Sequence, residues 1–247
     1  MNFFSLFKRN IIYKFKKKNL IDNDGIENKS LDELFNYYGS DKANFFKKLN
    51  RAGHGFSRFY TDHFKKFKNR EINILEIGSF AGASAAAFSK YFPNVKVFCF
   101  DVNISNFEFK SKKIYVYGID INNNKEVKKT INKIFTKHQI KKFDVIIDDG
   151  SHYLSDILFS LNFFFKYLKE KGSFIIEDYK LPNYYKYNKN IDHIFVNEFL
   201  KNIENNKISN SSIFSKEDQL YLINKIEKID YYKGNLVDSD ICFIKKK

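Results

Sequence analysis

Tryptophan is absent from these 247 residues, and proline and cysteine occur twice each. Cys99 and Cys242 each sit in an apolar run with no paired spacing for zinc or a redox motif. They read as small buried hydrophobes in a reducing compartment. No apolar run approaches the roughly 18 residues that cross a bilayer. A secretory signal needs an unbroken apolar stretch and a small-residue cleavage site. The first eighteen residues instead interleave Phe3, Phe4, Leu6, Phe7, Ile11 and Ile12 with Lys8, Arg9, Lys14, Lys16, Lys17 and Lys18. A cytoplasmic protein is expected. The basic start has two readings: a terminal helix with a solvated face, or an amphipathic helix making peripheral contact with an anionic membrane. A dinucleotide fingerprint starting at Gly78 would need glycines at 80 and 83, but Phe80 and Ala83 stand there. Backbone approach to a pyrophosphate is therefore not provided.

What is present suits one large α/β protein. Hydrophobic residues make up 43% and charged residues 29%, enough for a core under a solvated surface. The net charge of +14 is spread along the chain rather than gathered in a stripe, so it is a weak argument for nucleic acid. Residues 1–28 read as a basic N-terminal extension. Residues 29–70 read as a helical cap containing Gly39-Ser40-Asp41-Lys42, opened by the capping box Ser30 to Glu33. Phe56, Phe59, Tyr60, His63, Phe64 and Phe67 recur at spacings of three and four, which predicts a packed helix.

From 71 to 247 the rhythm is strand, helix, strand. Ile72–Ile77, Val95–Phe100, Ile114–Tyr117, Phe143–Ile147 and Ser173–Ile176 predict strands, with helices from Ala83, before His138 and from Ser155. Lys228–Tyr232 and Asp240–Ile244, around Gly234 and Asn235, predict a closing hairpin. The fold expected is a Rossmann-like, mostly parallel seven-stranded sheet with helices on both faces and a C-terminal antiparallel hairpin. Such sheets bind ligands at the carboxyl ends of their strands. Those ends hold Glu76, Asp101, Asp120, Asp148 with Asp149, and Glu177 with Asp178. So many carboxylates suit a cationic cofactor, sugar hydroxyls or a metal ion rather than a phosphate.

Leu75-Glu76-Ile77-Gly78-Ser79-Phe80-Ala81-Gly82 reads as a turn between strand and helix, with Asp101 about 20 residues on to accept ribose hydroxyls. The plainer reading is a generic βαβ turn. This stretch, with Phe100-Asp101, resembles the first motif and ribose-binding acid of class I S-adenosylmethionine-dependent methyltransferases. The resemblance implies cofactor contacts from Glu76, Gly78, Ser79, Gly82 and Asp101, with Asp120 near the adenine and Asp148 in the same set.

Asp148-Asp149-Gly150-Ser151-His152, with Phe174-Ile175-Ile176-Glu177-Asp178, suggests chemistry. A hydroxyl attacking a sulfonium methyl must lose its proton as the bond forms, and His152 beside two aspartates suits a general base. Asp149, Glu177 and Asp178 offer the hard oxygen ligands that Mg²⁺ or a similar divalent cation prefers. The plainer reading is that Asp148 or Asp149 caps the next helix and His152 is a surface residue. Together with Gly39-Ser40-Asp41-Lys42 and Tyr91-Phe92-Pro93-Asn94, these motifs resemble the metal-dependent sugar O-methyltransferases of mycinamicin and macrocin type, and the related cephalosporin hydroxylase-type proteins. In that group the matching His is the base, acidic residues of the two motifs hold magnesium, and the G-S-D-K loop, here Ser40 and Asp41, lies over the cofactor. Asp149 is counted with His152 in the catalytic pair.

The acceptor this implies is a sugar in a glycan precursor or glycosylated metabolite. An RNA ribose, another small-molecule hydroxyl, or a hydroxylase-like chemistry are the alternatives. Pro93 and Pro182 are each followed by Asn, so neither the Pro-Pro motif of amino-methylating DNA enzymes nor a Pro-Cys nucleophile exists here. A homo-oligomer is compatible with the sequence. His138 is expected to be exposed at a helix C-terminus. Tyr184, Tyr185 and Tyr187 have two readings, stacking on a sugar or packing within a loop.

Overall fold

The computed structural model describes residues 3–26 and 28–247. Seven strands make one mostly parallel sheet: β1 (Ile72–Ile77), β2 (Val95–Asp101), β3 (Ile114–Gly118), β4 (Phe143–Asp148), β5 (Leu168–Glu177), β6 (Ile226–Lys233) and β7 (Asp240–Lys246). Their order is β6-β7-β5-β4-β1-β2-β3, with helices around them. The chain divides into two compact units, Met1–Ile140 with Gly234–Val237, and Lys141–Lys233 with Asp238–Lys247.

In the first unit β1, β2 and β3 pair in parallel, Ile77 opposite Phe100 and Asp101 opposite Gly118. Every residue of β1 is buried, including the polar Asn73 and Glu76, as expected of a parallel strand with both faces covered. Ala85, Ala86 and Ala87 of helix α4 (Ala83–Tyr91) are fully buried; their small side chains let that helix lie close against its neighbours. Helix α1 (Phe3–Phe15) sets the Tyr13 ring edge-on to Phe107 at 6.3 Å. Helix α2 (Leu31–Tyr38) has the predicted capping box: Ser30 accepts from the Glu33 N–H and donates its own N–H to the Glu33 carboxylate at 2.8 Å. It ends at Gly39, whose φ of 75° is the left-handed cap that suits glycine. Phe56, Tyr60, Phe64 and Phe67, on and around helix α3 (Ser57–Phe64), are buried as their spacing predicts. Among the described residues no helix is long and apolar enough to cross a membrane.

His138 departs from expectation. It ends helix α5 (Asn124–His138), but its ring stands 4.2 Å from Tyr115 of β3 and 5.1 Å from Phe98 of β2. Burial, with Lys137 and Lys96 nearby, holds its pKa below the usual value of 6.5, the opposite of a solvated helix-end histidine. The helix face it lies on is set by packing on the sheet, which local charge does not reveal.

In the second unit β4 and β5 pair in parallel, and β7 runs antiparallel to both β5 and β6. Strand β5 begins at Leu168, five residues before the predicted start, and the β4–β5 ladder absorbs an irregularity between Phe143 and Val145. Helix α6 (Leu154–Phe164) follows β4 after a five-residue connection. Cys99 and Cys242 are both buried and free, one in each unit.

Candidate active site

The β1–α4 turn of the first unit is held in a conformation that glycine makes cheap. Gly78 and Gly82 have φ of 84° and 80°. A Cβ added to Gly82 would lie 2.3 Å from the Phe107 ring, so both the backbone angle and the space demand glycine. Phe80 also has positive φ, 42°, and its side chain is 65% exposed. Its N–H donates to Asp101 Oδ2 at 2.8 Å, and Asp101 Oδ1 accepts from the Asn103 N–H at 2.6 Å. Asp101 therefore ties the turn to the end of β2 while each carboxylate oxygen keeps a further lone pair. Beneath the turn, Glu76 is fully buried and accepts from Ser84 Oγ at 2.5 Å; Ser79 Oγ donates to the Glu76 carbonyl at 3.2 Å. Asp120 follows Ile119, whose N–H donates to the Asp101 carbonyl at 2.9 Å. Glu76, Gly78, Ser79, Gly82, Asp101 and Asp120 thus belong to one connected region.

Ser40 and Asp41 lie in a second network of this unit. Ser40 is buried, whereas Asp41 is exposed with its carboxylate 3.8 Å from His54 Nε2. The His54 N–H donates to the Asp41 carbonyl at 2.7 Å, and the Asn235 N–H donates to the His54 carbonyl at 2.8 Å. A Cβ on Gly53 would sit 2.2 Å from the Ala43 carbonyl oxygen, so this close approach also needs glycine.

The second unit gathers Asp149, His152 and Asp178, whose ligand atoms all lie within 4.8 Å of one another. His152 Nε2 is 3.7 Å from Asp149 Oδ1. Asp148 and Glu177 are buried neighbours in sequence but stand outside this group. Burial pushes the Asp148 carboxyl up to about 7, against the opposing pull of Ser160, His152 and the Gly150 N–H. The helix-cap reading does not hold. The residue capping α6 is Tyr153, without a side-chain cap, and Ser151 rather than either aspartate bonds into the first turn, donating to Asp156 at 2.6 Å.

His152 and Asp178 have φ of 58° and 49°, conformations that L-residues rarely adopt. Both are held from the same stretch of chain. The Leu181 N–H donates to the Asp178 carbonyl at 2.8 Å, and Asn188 Nδ2 donates to the His152 carbonyl at 3.1 Å. Asn188 is a site residue that sequence reasoning missed. It stands 36 residues from its partner, and no spacing rule connects the two.

Compared with models of protein families, the chain matches none. In sequence it is similar to mycinamicin VI 2''-O-methyltransferase of Micromonospora griseorubida, 25% identical over 161 residues covering 62% of this chain and 37% of that one. It is similar also to L-olivosyl-oleandolide 3-O-methyltransferase of Streptomyces antibioticus, 29% identical over 159 residues, or 62% and 38% of the two chains. In structure it is similar to a methyltransferase of the mycinamicin biosynthetic pathway solved in complex with Mg and SAH. The TM-score is 0.67 and the identity 20%, over 88% of this chain and 55% of the other. The chain has a methyltransferase fold. It spans less than two fifths of the length of the curated relatives it matches. Within the methyltransferase fold, Gly78–Gly82 and Asp101 form the first-strand turn and the second-strand acid, and the Asp149–His152–Asp178 group lies after β4 and β5.

Proposed function

We propose that the chain is an S-adenosylmethionine-dependent O-methyltransferase that methylates a sugar hydroxyl of a glycosylated metabolite or glycan precursor, assisted by a divalent cation. The observation that carries this reading is the Asp149–His152–Asp178 group on a methyltransferase fold. The named relatives are O-methyltransferases of sugar-bearing compounds, which supports the same acceptor class.

The residues fit both groups. The carboxylates of Asp149 and Asp178 offer the oxygen donors that a hard divalent ion prefers, and the His152 imidazole within the same 4.8 Å group serves proton transfer instead. The turn at Gly78–Gly82 leaves no Cβ at its two left-handed glycines, and Asp101 has acceptor capacity for ribose hydroxyls. In this reading Ser40 and Asp41 also contact the cofactor, with Glu76, Ser79 and Asp120 of the same unit. When bound, S-adenosylmethionine would supply an electrophilic methyl group, and a divalent ion, which Asp149 and Asp178 would hold, would stabilise negative charge on the acceptor oxygen. His152 in its neutral form takes the hydroxyl proton through Nε2, and Asp149, 3.7 Å away, stabilises the imidazolium that results. Asn188 holds the His152 backbone so that the ring keeps its place.

The test is mass spectrometry of glycosylated metabolites, nucleotide-sugars and oligosaccharides after incubation with the chain, S-adenosylmethionine and Mg²⁺. One acceptor should gain a methyl group, and a chelator should prevent the gain. His152→Ala should slow transfer by about 10²–10⁴-fold while calorimetry shows cofactor binding unchanged. Undiminished transfer by that variant, or in chelator, would overturn the assignment of base or metal.

A further inference from the structure

The stretch that clamps His152 and Asp178 is also the aromatic one: Tyr179-Lys180-Leu181-Pro182-Asn183-Tyr184-Tyr185-Lys186-Tyr187-Asn188. A loop tyrosine that serves packing buries its ring and, where it can, bonds its hydroxyl. Tyr179 follows that pattern and is 2% exposed. Tyr184, Tyr185 and Tyr187 do not: they are 41%, 42% and 69% exposed.

Two of them nevertheless have fixed positions. Tyr184 donates its hydroxyl proton to Asp240 Oδ2 at 2.7 Å and accepts from Lys233 Nζ at 3.0 Å, and Tyr185 donates to Asp238 Oδ2 at 3.1 Å. Asp240 is itself buried and ion-paired to Lys180 and Lys233 at 3.1 and 2.6 Å. The Tyr185 and Tyr187 rings lie 5.9 Å apart with 39° between their planes. Tyr185 is thus tied at its phenol tip while its ring surface stays in water, and the Tyr187 ring lies beside it, so part of this contact area is ordered in advance.

We infer that Tyr185 and Tyr187 form the platform on which the acceptor sugar ring stacks, a reading that rests on the sugar acceptor proposed above. A pyranose has one face of C–H groups and a rim of hydroxyls. The exposed rings match the face, and the neighbouring Lys180, Lys233 and Asp238 side chains match the rim. The placement follows from the two ends of the segment: it leaves Asp178 directly through a turn and its last residue, Asn188, bonds the His152 carbonyl, so a sugar seated between them lies along the chain that joins these two site residues. The same bonds couple the platform to the left-handed backbone of both site residues.

The experiment is saturation-transfer NMR with a panel of methyl glycosides, run on the full chain with Mg²⁺, followed by steady-state kinetics on whichever sugar acceptor is methylated. Tyr187→Ala and Tyr185→Ala should each weaken glycoside binding by about ten-fold, the value of one lost stacking contact, and raise KM by a similar factor with kcat little changed. Tyr187→Phe keeps the ring and should restore binding to within about two-fold of wild type, which a purely structural role for the hydroxyl would not allow. Equal binding and KM in wild type and both alanine variants would overturn the platform while leaving methyl transfer intact. Absence of glycoside binding by the wild type would overturn it as well. Tyrosine-dependent binding without methyl transfer to any sugar would uphold the platform and sink the methyltransferase reading instead.

Discussion

His152 and Asp178 hold left-handed backbone conformations that cost an L-residue about 1–2 kcal/mol relative to glycine. Such a cost persists where the surroundings impose it, here through the bonds from Asn188 and Leu181. His152→Gly should therefore be more stable than His152→Ala by about 1 kcal/mol in denaturant unfolding, although both remove the proposed base. Equal midpoints would mean that the strain is not stored at this residue. His138 gives a pH prediction. Its folded pKa lies below its ordinary 6.5, so the unfolded chain binds the proton more readily. Stability from this site is present above about pH 6.5 and is lost as pH falls through the lowered folded value. A His138→Gln variant should lose less stability than wild type between pH 7.5 and 5, measured as the change in Tm; parallel losses would discount the site.

At the level of elements, the β1–α4 turn joins conformation to function. Gly82→Ala meets both a φ of 80° and the Phe107 ring at 2.3 Å. The substitution should cost about 2 kcal/mol or more in stability and weaken S-adenosylmethionine binding at least about ten-fold. Pairing it with Phe107→Ala should relieve the clash but not the backbone cost, so the double variant should bind cofactor more weakly than Phe107→Ala alone. Identical calorimetric affinities for these two proteins would show that the left-handed glycine is dispensable. The turn is legible in sequence because its two glycines follow an apolar strand and precede an alanine-rich helix. The role of Phe107 is not, since that ring arrives from beyond β2 and only folding brings it to Gly82.

For the whole molecule, ligands that bind the folded chain should raise its stability by mass action. S-adenosylmethionine at 100 times its Kd should add about 2.7 kcal/mol, read as an upward shift in Tm, and Mg²⁺ should give a separate increment. Asp178→Asn should lose the Mg²⁺ increment and keep that of the cofactor; loss of both, or of neither, would contradict the assignment of Asp178 to the ion. The class of fold was readable from the sequence alone, because the strands read as mainly apolar runs alternating with helices and closing on a glycine or an acid. It also marked Asp149, His152 and Asp178 as candidates, since strand ends are where such a sheet can expose charged groups. Folding was needed to show which of the acidic residues stand with His152 and which stand outside, and that Asn188, 36 residues away, holds the His152 carbonyl. The physical reason is distance along the chain: a local pattern sets which way one strand or helix faces, but contacts between segments tens of residues apart exist only once the sheet has brought them together.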